Sequence, residues 1–191
     1  MKASAFERDG TSSPRERPGI VLTSLGPDRP GLVNRLAAFV KRYDGNIEDT
    51  RMAKLGGEFA VLMLVSGPAA RLDALLEHLS EAEADTGLSC FAKRTQGASD
   101  REGRTIHLKV SSLDRPGIVE AVTELLARHS INVASLSSRL VPAPLSGASL
   151  FELEAELHVP ETISTDALHE MLDQLCEQED LDFTLAEEPA E

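Results

Sequence analysis

This chain carries one pattern twice, in register. Asp28-Arg29-Pro30-Gly31-Leu32-Val33 returns as Asp114-Arg115-Pro116-Gly117-Ile118-Val119, an offset of 86, and Asn46-Ile47 returns as Asn132-Val133 at the same offset. Phe59 and Pro68 match Phe151 and Pro160 at an offset of 92, and Leu88 matches Leu181 at 93. The second copy therefore gains 92 − 86 = 6 residues between the first anchors and the next, and Val141-Pro142-Ala143-Pro144-Leu145-Ser146-Gly147 is the place for them. A repeat of this length means two copies of one small folding unit, and a chain of 191 residues has room for two.

Within each copy, periodicity sets the order of elements. Ile20 to Ser24 and Ile106 to Val110 are short, β-branched-rich runs that end in turn residues, the pattern of a first strand. Leu32, Val33, Leu36, Phe39, Val40 and Tyr43 then recur at steps of three and four, as do Ile118, Val119, Val122, Leu125, Leu126 and His129, which predicts amphipathic helices. Proline just ahead of each favours helix initiation. Asp44-Gly45 and Ser130 close these helices, and second strands are expected over 47–55 and 131–140. Phe59 to Val65 is a continuously apolar strand, whereas Phe151, Leu153, Ala155 and Leu157 alternate with Glu152, Glu154 and Glu156, so the second copy should turn a face toward water or a charged partner. Second helices are predicted over 70–83 and 165–177, with final strands over 88–94 and 182–186.

The order is βαββαβ, twice. Right-handed crossovers then give an α+β fold of two tandem ferredoxin-like units, each an antiparallel four-stranded sheet with two helices on one face. The expected boundaries are a flexible tail over 1–18, a first domain over 19–96, a polar linker over 97–103 and a second domain over 104–188. Cys90 and Cys176 have neither CxxC spacing nor a disulfide-framework count, and are expected to be reduced and buried.

Charge excludes several function classes. The net charge is -13, and residues 1 to 103 carry 14 basic and 15 acidic groups against 5 and 17 in the remainder. Phosphate contact rests on clustered Lys and Arg, so direct nucleic-acid binding is not expected. The acidic second half reads either as a solubility device or as a face for a basic partner. No apolar run has the length of a membrane span, and the start lacks a signal-peptide segment, so a cytoplasmic protein is expected. His78, His107, His129, His158 and His169 lack metal-ligand spacing, and there is no P-loop, GxGxxG or nucleophile-elbow motif. No metal, cofactor or catalytic residue is expected.

The candidate binding residues sit at the strand-to-helix turns. Free backbone N–H groups, the positive end of a helix dipole and a glycine would suit a carboxylate, while Asp28 or Asp114 would accept a hydrogen bond from an ammonium group. Asn46 and Asn132, entering the next strand, offer both donors and acceptors. The competing reading is purely structural, in which Pro and Gly make a good turn, Asp caps the helix and Asn tolerates a left-handed conformation.

A strand, then Asp-Arg-Pro-Gly-Leu/Ile-Val, an amphipathic helix and a Gly-Asn-Ile or Ile-Asn-Val strand entry resembles the ACT domain, and the resemblance spans both copies. It implies that a free amino acid binds between the helix-start loop of one unit and a strand of a neighbour, through Asp28, Arg29, Pro30, Gly31, Leu32, Asn46 and Ile47, and through Asp114, Arg115, Pro116, Gly117, Ile118, Asn132 and Val133. Serine-binding members often have Asn where this chain has Asp28 and Asp114, and histidine where it has Gly26 and Ser112, which leaves glycine and serine both open as effector. A stand-alone tandem pair is most similar to the glycine cleavage system transcriptional repressor family. That resemblance implies a non-catalytic, glycine-responsive regulator acting through a partner protein, such as a transcription factor, with homodimerisation left open. The alternatives are a regulatory subunit or ACT-containing relative of a metabolic enzyme such as formyltetrahydrofolate deformylase, and a ligand-free interaction scaffold.

Overall fold

The computed structural model describes residues 19–95, 103–142, 147 and 149–187. The expected tail over 1–18 and the expected linker over 97–103, Gly103 excepted, lie outside them. The chain divides into two compact units.

The first unit runs β1 (Gly19–Pro27), α1 (Leu32–Arg42), β2 (Asn46–Leu55), β3 (Glu58–Ser66), α2 (Ala69–Glu77), α3 (Leu79–Thr86) and β4 (Ser89–Thr95). The second runs β5 (Arg104–Leu113), α4 (Ile118–Arg128), β6 (Asn132–Pro142), β7 (Ser149–Val159), α5 (Thr165–Glu179) and β8 (Asp182–Glu187). The sheets have strand orders β2-β3-β1-β4 and β6-β7-β5-β8, with every neighbouring pair antiparallel. This is the ferredoxin-like order expected from two split βαβ crossovers. The repeat extends to a β-bulge, since register shifts between Ile47 and Asp49 and again between Val133 and Ser135.

Each unit builds its own core on one face of its sheet. Ile20, Leu22, Val61, Met63 and Val65 pack against Leu36, Phe39, Val40, Leu72 and Leu75, and Ile106, Leu108, Leu153 and Leu157 pack against Val122, Leu126, Leu168 and Leu172. The period-two spacing of the strand residues places them all on the helix side. The other face differs between copies. On β7 it carries Glu152, Glu154 and Glu156, as the alternation predicts, with Lys109 and Arg139 paired to Glu154 and Glu152. On the first sheet it is mixed and open, with Leu62 49% and Phe91 64% exposed beside Asp49, Arg51 and Lys93.

Two expectations need correction. The second helix of the first copy is two helices, α2 and α3, joined at His78, whereas its counterpart α5 is unbroken. His78 takes φ −111, and its Nδ1 lies 2.7 Å from the Ala74 carbonyl oxygen, to which the His78 backbone N–H also donates. The turn closes at that carbonyl, and a second helix begins at Leu79. Proline stands just ahead of each first helix, as expected, Pro30 and Pro116 preceding the glycine N-caps Gly31 and Gly117. Finally, Cys176 is buried but Cys90 only partly so, its Sγ lying 3.2 Å from the Oγ of the buried Ser24. Both thiols are free. Burial, aided by Asp173 and Asp182, pushes the Cys176 thiol up to about 11, and burial also raises that of Cys90.

Candidate ligand site at the helix starts

Each Asp-Arg-Pro-Gly turn delivers the chain from the first strand of its unit into the first helix. Gly31 sits at φ 89, ψ 0 and Gly117 at φ 97, ψ −8, a left-handed conformation that strains residues bearing a Cβ. A Cβ at either position would meet nothing within 4 Å, so the backbone alone demands glycine and the space in front of it is open. Neither helix has a side-chain N-cap. The first helical bonds are donated by the N–H groups of Arg35 and Ala121 to the carbonyls of Gly31 and Gly117, at 3.1 and 2.9 Å. The amides before them have no intrahelical acceptor, as at any helix start, and carry the positive end of the helix dipole.

The remaining motif residues divide by role. Arg29 donates to the Thr86 carbonyl at 3.4 Å, and Arg115 donates to the Glu179 carbonyl and, at 2.7 Å, to its carboxylate. Thr86 and Glu179 end α3 and α5, so both arginines tie the turn to the C-terminus of their unit's last helix, where a cation is favoured. Leu32 and Ile118 are buried, so only their backbone reaches the mouth. Ile47 and Val133 pack against the cores. Pro30 and Pro116 are exposed.

Asp28 and Asp114 differ. The Asp28 backbone N–H donates to Gly57, at the β2–β3 hairpin, and its carboxylate pairs with Lys54 Nζ at 2.6 Å. The corresponding Asp114 amide donates to Ser149, but the position of Lys54 is held by Leu140, and among the described residues no ion pair engages the Asp114 carboxylate. Lys54 escapes notice in the sequence, because a lysine on a strand carries no sign of what it reaches across a sheet.

Asn46 and Asn132 do not join the turn of their own unit. Asn46 is in register with Ser66, and Ser66 with Gly19, at the start of β1, whereas Asp28 follows the end of β1. The same holds for Asn132, paired with His158 and through it with Thr105. The 11 residues of α1 alone separate the two ends by about 16 Å. Among the described residues, no group of three or more His, Cys, Asp or Glu is arranged to hold a metal ion, and no helix is long and apolar enough to cross a membrane.

The ACT domain family model matches residues 19–93. A glycine cleavage system transcriptional repressor of Escherichia coli (strain K12) is 33% identical over 159 residues, which is 82% of this chain and 83% of that protein. The crystal structure of an unknown protein from Galdieria sulphuraria superposes with a TM-score of 0.74 at 29% identity, covering 91% of this chain and 99% of that one. A second crystal structure, provisionally assigned as a glycine cleavage system transcriptional repressor, gives 0.69 at 29% identity over 90% and 97%. With this agreement in sequence and in the fold of both copies, the chain belongs to the glycine cleavage system transcriptional repressor family, regulatory proteins built from ACT domains.

Proposed function

We propose that this chain is a cytoplasmic, non-catalytic regulator that binds a small amino acid, glycine before serine, and passes that state to a protein partner without touching DNA. The observation that carries the ligand reading is the twofold occurrence of one mouth: a left-handed glycine with open space before it, leading into a helix with no side-chain cap. Such a mouth accepts a carboxylate by its amides and dipole. The ammonium group needs an acceptor, and Asp114 is the better of the two, because Asp28 is already neutralised by Lys54. Asn46 and Asn132 lie a helix length from the mouth of their own unit and do not contribute to it there. The relative repressor's name supports glycine as effector and transcription as the output, and the acidic surface agrees with regulation through a protein. Ligand binding would act by favouring one of the partner-bound and free states, and only by its difference in affinity for the two.

Isothermal titration with glycine, then serine and the other amino acids, tests this. Saturable glycine binding is expected, with Asp114→Asn weakening it about tenfold, the order of one charge-assisted hydrogen bond, and Asp28→Asn much less. Silence across the whole panel would discard the ligand reading. It would favour an interaction scaffold, for which the structural roles of Gly31, Gly117, Arg29 and Arg115 already speak.

A further inference from the structure

The duplication supplies an internal control for the open face of each sheet. Across β2, β3, β1 and β4, the face of the first sheet turned away from the helices reads, row by row, Asp49–Leu64–Val21–Lys93, Arg51–Leu62–Thr23–Phe91 and Ala53–Ala60–Leu25–Ser89. The same rows of the second sheet, across β6, β7, β5 and β8, read Ser135–Glu156–His107–Ala186, Ser137–Glu154–Lys109–Thr184 and Arg139–Glu152–Ser111–Asp182. Where the second sheet places ionic and hydroxyl groups in the middle of its face, the first places hydrocarbon. Leu25, Leu62 and Phe91 are each about half exposed or more, with Val21 and Leu64 in the neighbouring row. Large apolar side chains gathered on one face and left in water mark an association surface.

The charges at the borders select the occupant. In the first row Asp49 stands on the β2 edge and Lys93 on the β4 edge, opposite in sign at opposite ends. Asp49 Oδ1 accepts the adjacent Thr50 N–H, and Oδ2 makes a 3.5 Å contact with Arg51, both side chains being exposed, so the pair contributes little. Among the described residues no hydrogen bond or ion pair engages Lys93. A two-fold axis lying between two facing sheets and parallel to their strands sets β2 of one copy over β4 of the other and each row over itself. Asp49 then meets Lys93 of the second copy, and Arg51 lies over the second copy's Phe91 ring. In the middle, Leu64 closes on Val21, Leu62 on Thr23 and the small Ala60 on Leu25. A row with opposite charges at its two ends complements its own two-fold copy, and the second sheet, with Ser135 and Ala186 in those places, has no such match. We propose that the open face of the first sheet is a homodimer interface, two copies packing sheet on sheet about this axis. Four strands spaced about 4.8 Å apart, with β1 nine residues long, give a footprint of about 500 Å² per copy, below the ~800 Å² of a standard interface, so the dimer is reversible. The proposal goes beyond the effector and partner reading above and does not rest on it.

Sedimentation equilibrium of the full chain over a wide range of concentration is expected to show a reversible monomer–dimer equilibrium. Leu62→Glu, which copies Glu154 of the second sheet, should raise the dissociation constant at least about tenfold by setting a charge in the apolar middle. Lys93→Glu, at an exposed position, should weaken the dimer by about the same factor through repulsion from Asp49 of the second copy, and tests the interface should Leu62→Glu fail to fold. Asp49→Lys should weaken it too, whereas Asp49→Lys with Lys93→Glu exchanges the two charges and should return the dissociation constant to within about threefold of wild type. A chain that stays monomeric at every concentration would overturn the proposal, the face then being covered by a partner protein or by another part of the same chain. So would a dimer indifferent to Leu62→Glu and Lys93→Glu, which joins through another surface, and so would an exchange variant no better than its single parents, since the two charges would then not meet across the axis.

Discussion

Gly31 and Gly117 hold φ at 89 and 97, and nothing crowds the missing Cβ. Gly31→Ala and Gly117→Ala should each cost about 1–2 kcal/mol in denaturant unfolding, from backbone strain alone. A loss of ligand affinity in these variants would therefore be read together with their stability, and the Asp114 carboxylate is the cleaner probe of the site. Cys176 offers a second residue-level check. Its folded thiol titrates at about 11 against an ordinary 9.0, so between these values the unfolded chain gives up the proton and the folded chain keeps it. Stability should fall as pH rises through that window, and Cys176→Ala should flatten the fall when unfolding midpoints are measured from pH 8 to 11. Of the motif residues named from sequence, Asp28 and Asp114 are legible as a pair, but what distinguishes them is not. Lys54 and Leu140 lie on strands that only hydrogen bonding to β3 and β7 brings alongside the turns.

At the scale of elements, the first helices of the two copies start and end alike, while the second helices differ in how they start and in whether they are continuous. Among the described helices, α5 alone has a side-chain N-cap, the Ser164 Oγ accepting the Ala167 N–H at 3.1 Å. Ser164→Ala should cost about 1 kcal/mol, read as a lower unfolding midpoint. The corresponding first-unit helix begins after Pro68 without such a cap and breaks at His78. The apolar period continues through that break, with Leu75, Leu79 and Ala82 all facing inward, so no pattern in the sequence announces it. The strand Phe59 to Val65 misleads for a related reason: continuous apolarity suggests burial on both faces, yet only the face with the helices is covered, and Leu62 is left half exposed.

At the scale of the whole molecule, the two hydrophobic cores have no residue in common. Leu126→Ala should destabilise the second unit by about 2–5 kcal/mol, and hydrogen exchange should show protection falling in β5 and β7 while β1 and β3 keep theirs. The sequence by itself determined the number of units, the βαββαβ order, the sheets' helix-covered faces and the two helix-start turns, because these follow from periodicity and from residues such as Gly31 whose conformation is local. Tertiary structure decided the rest. It placed Asn46 a helix length from Asp28 and gave Arg29 and Arg115 to the ends of α3 and α5. Each of these depends on which side chains meet across elements far apart in the chain, and a pattern of spacing along one element contains no information about the residue that will face it from another.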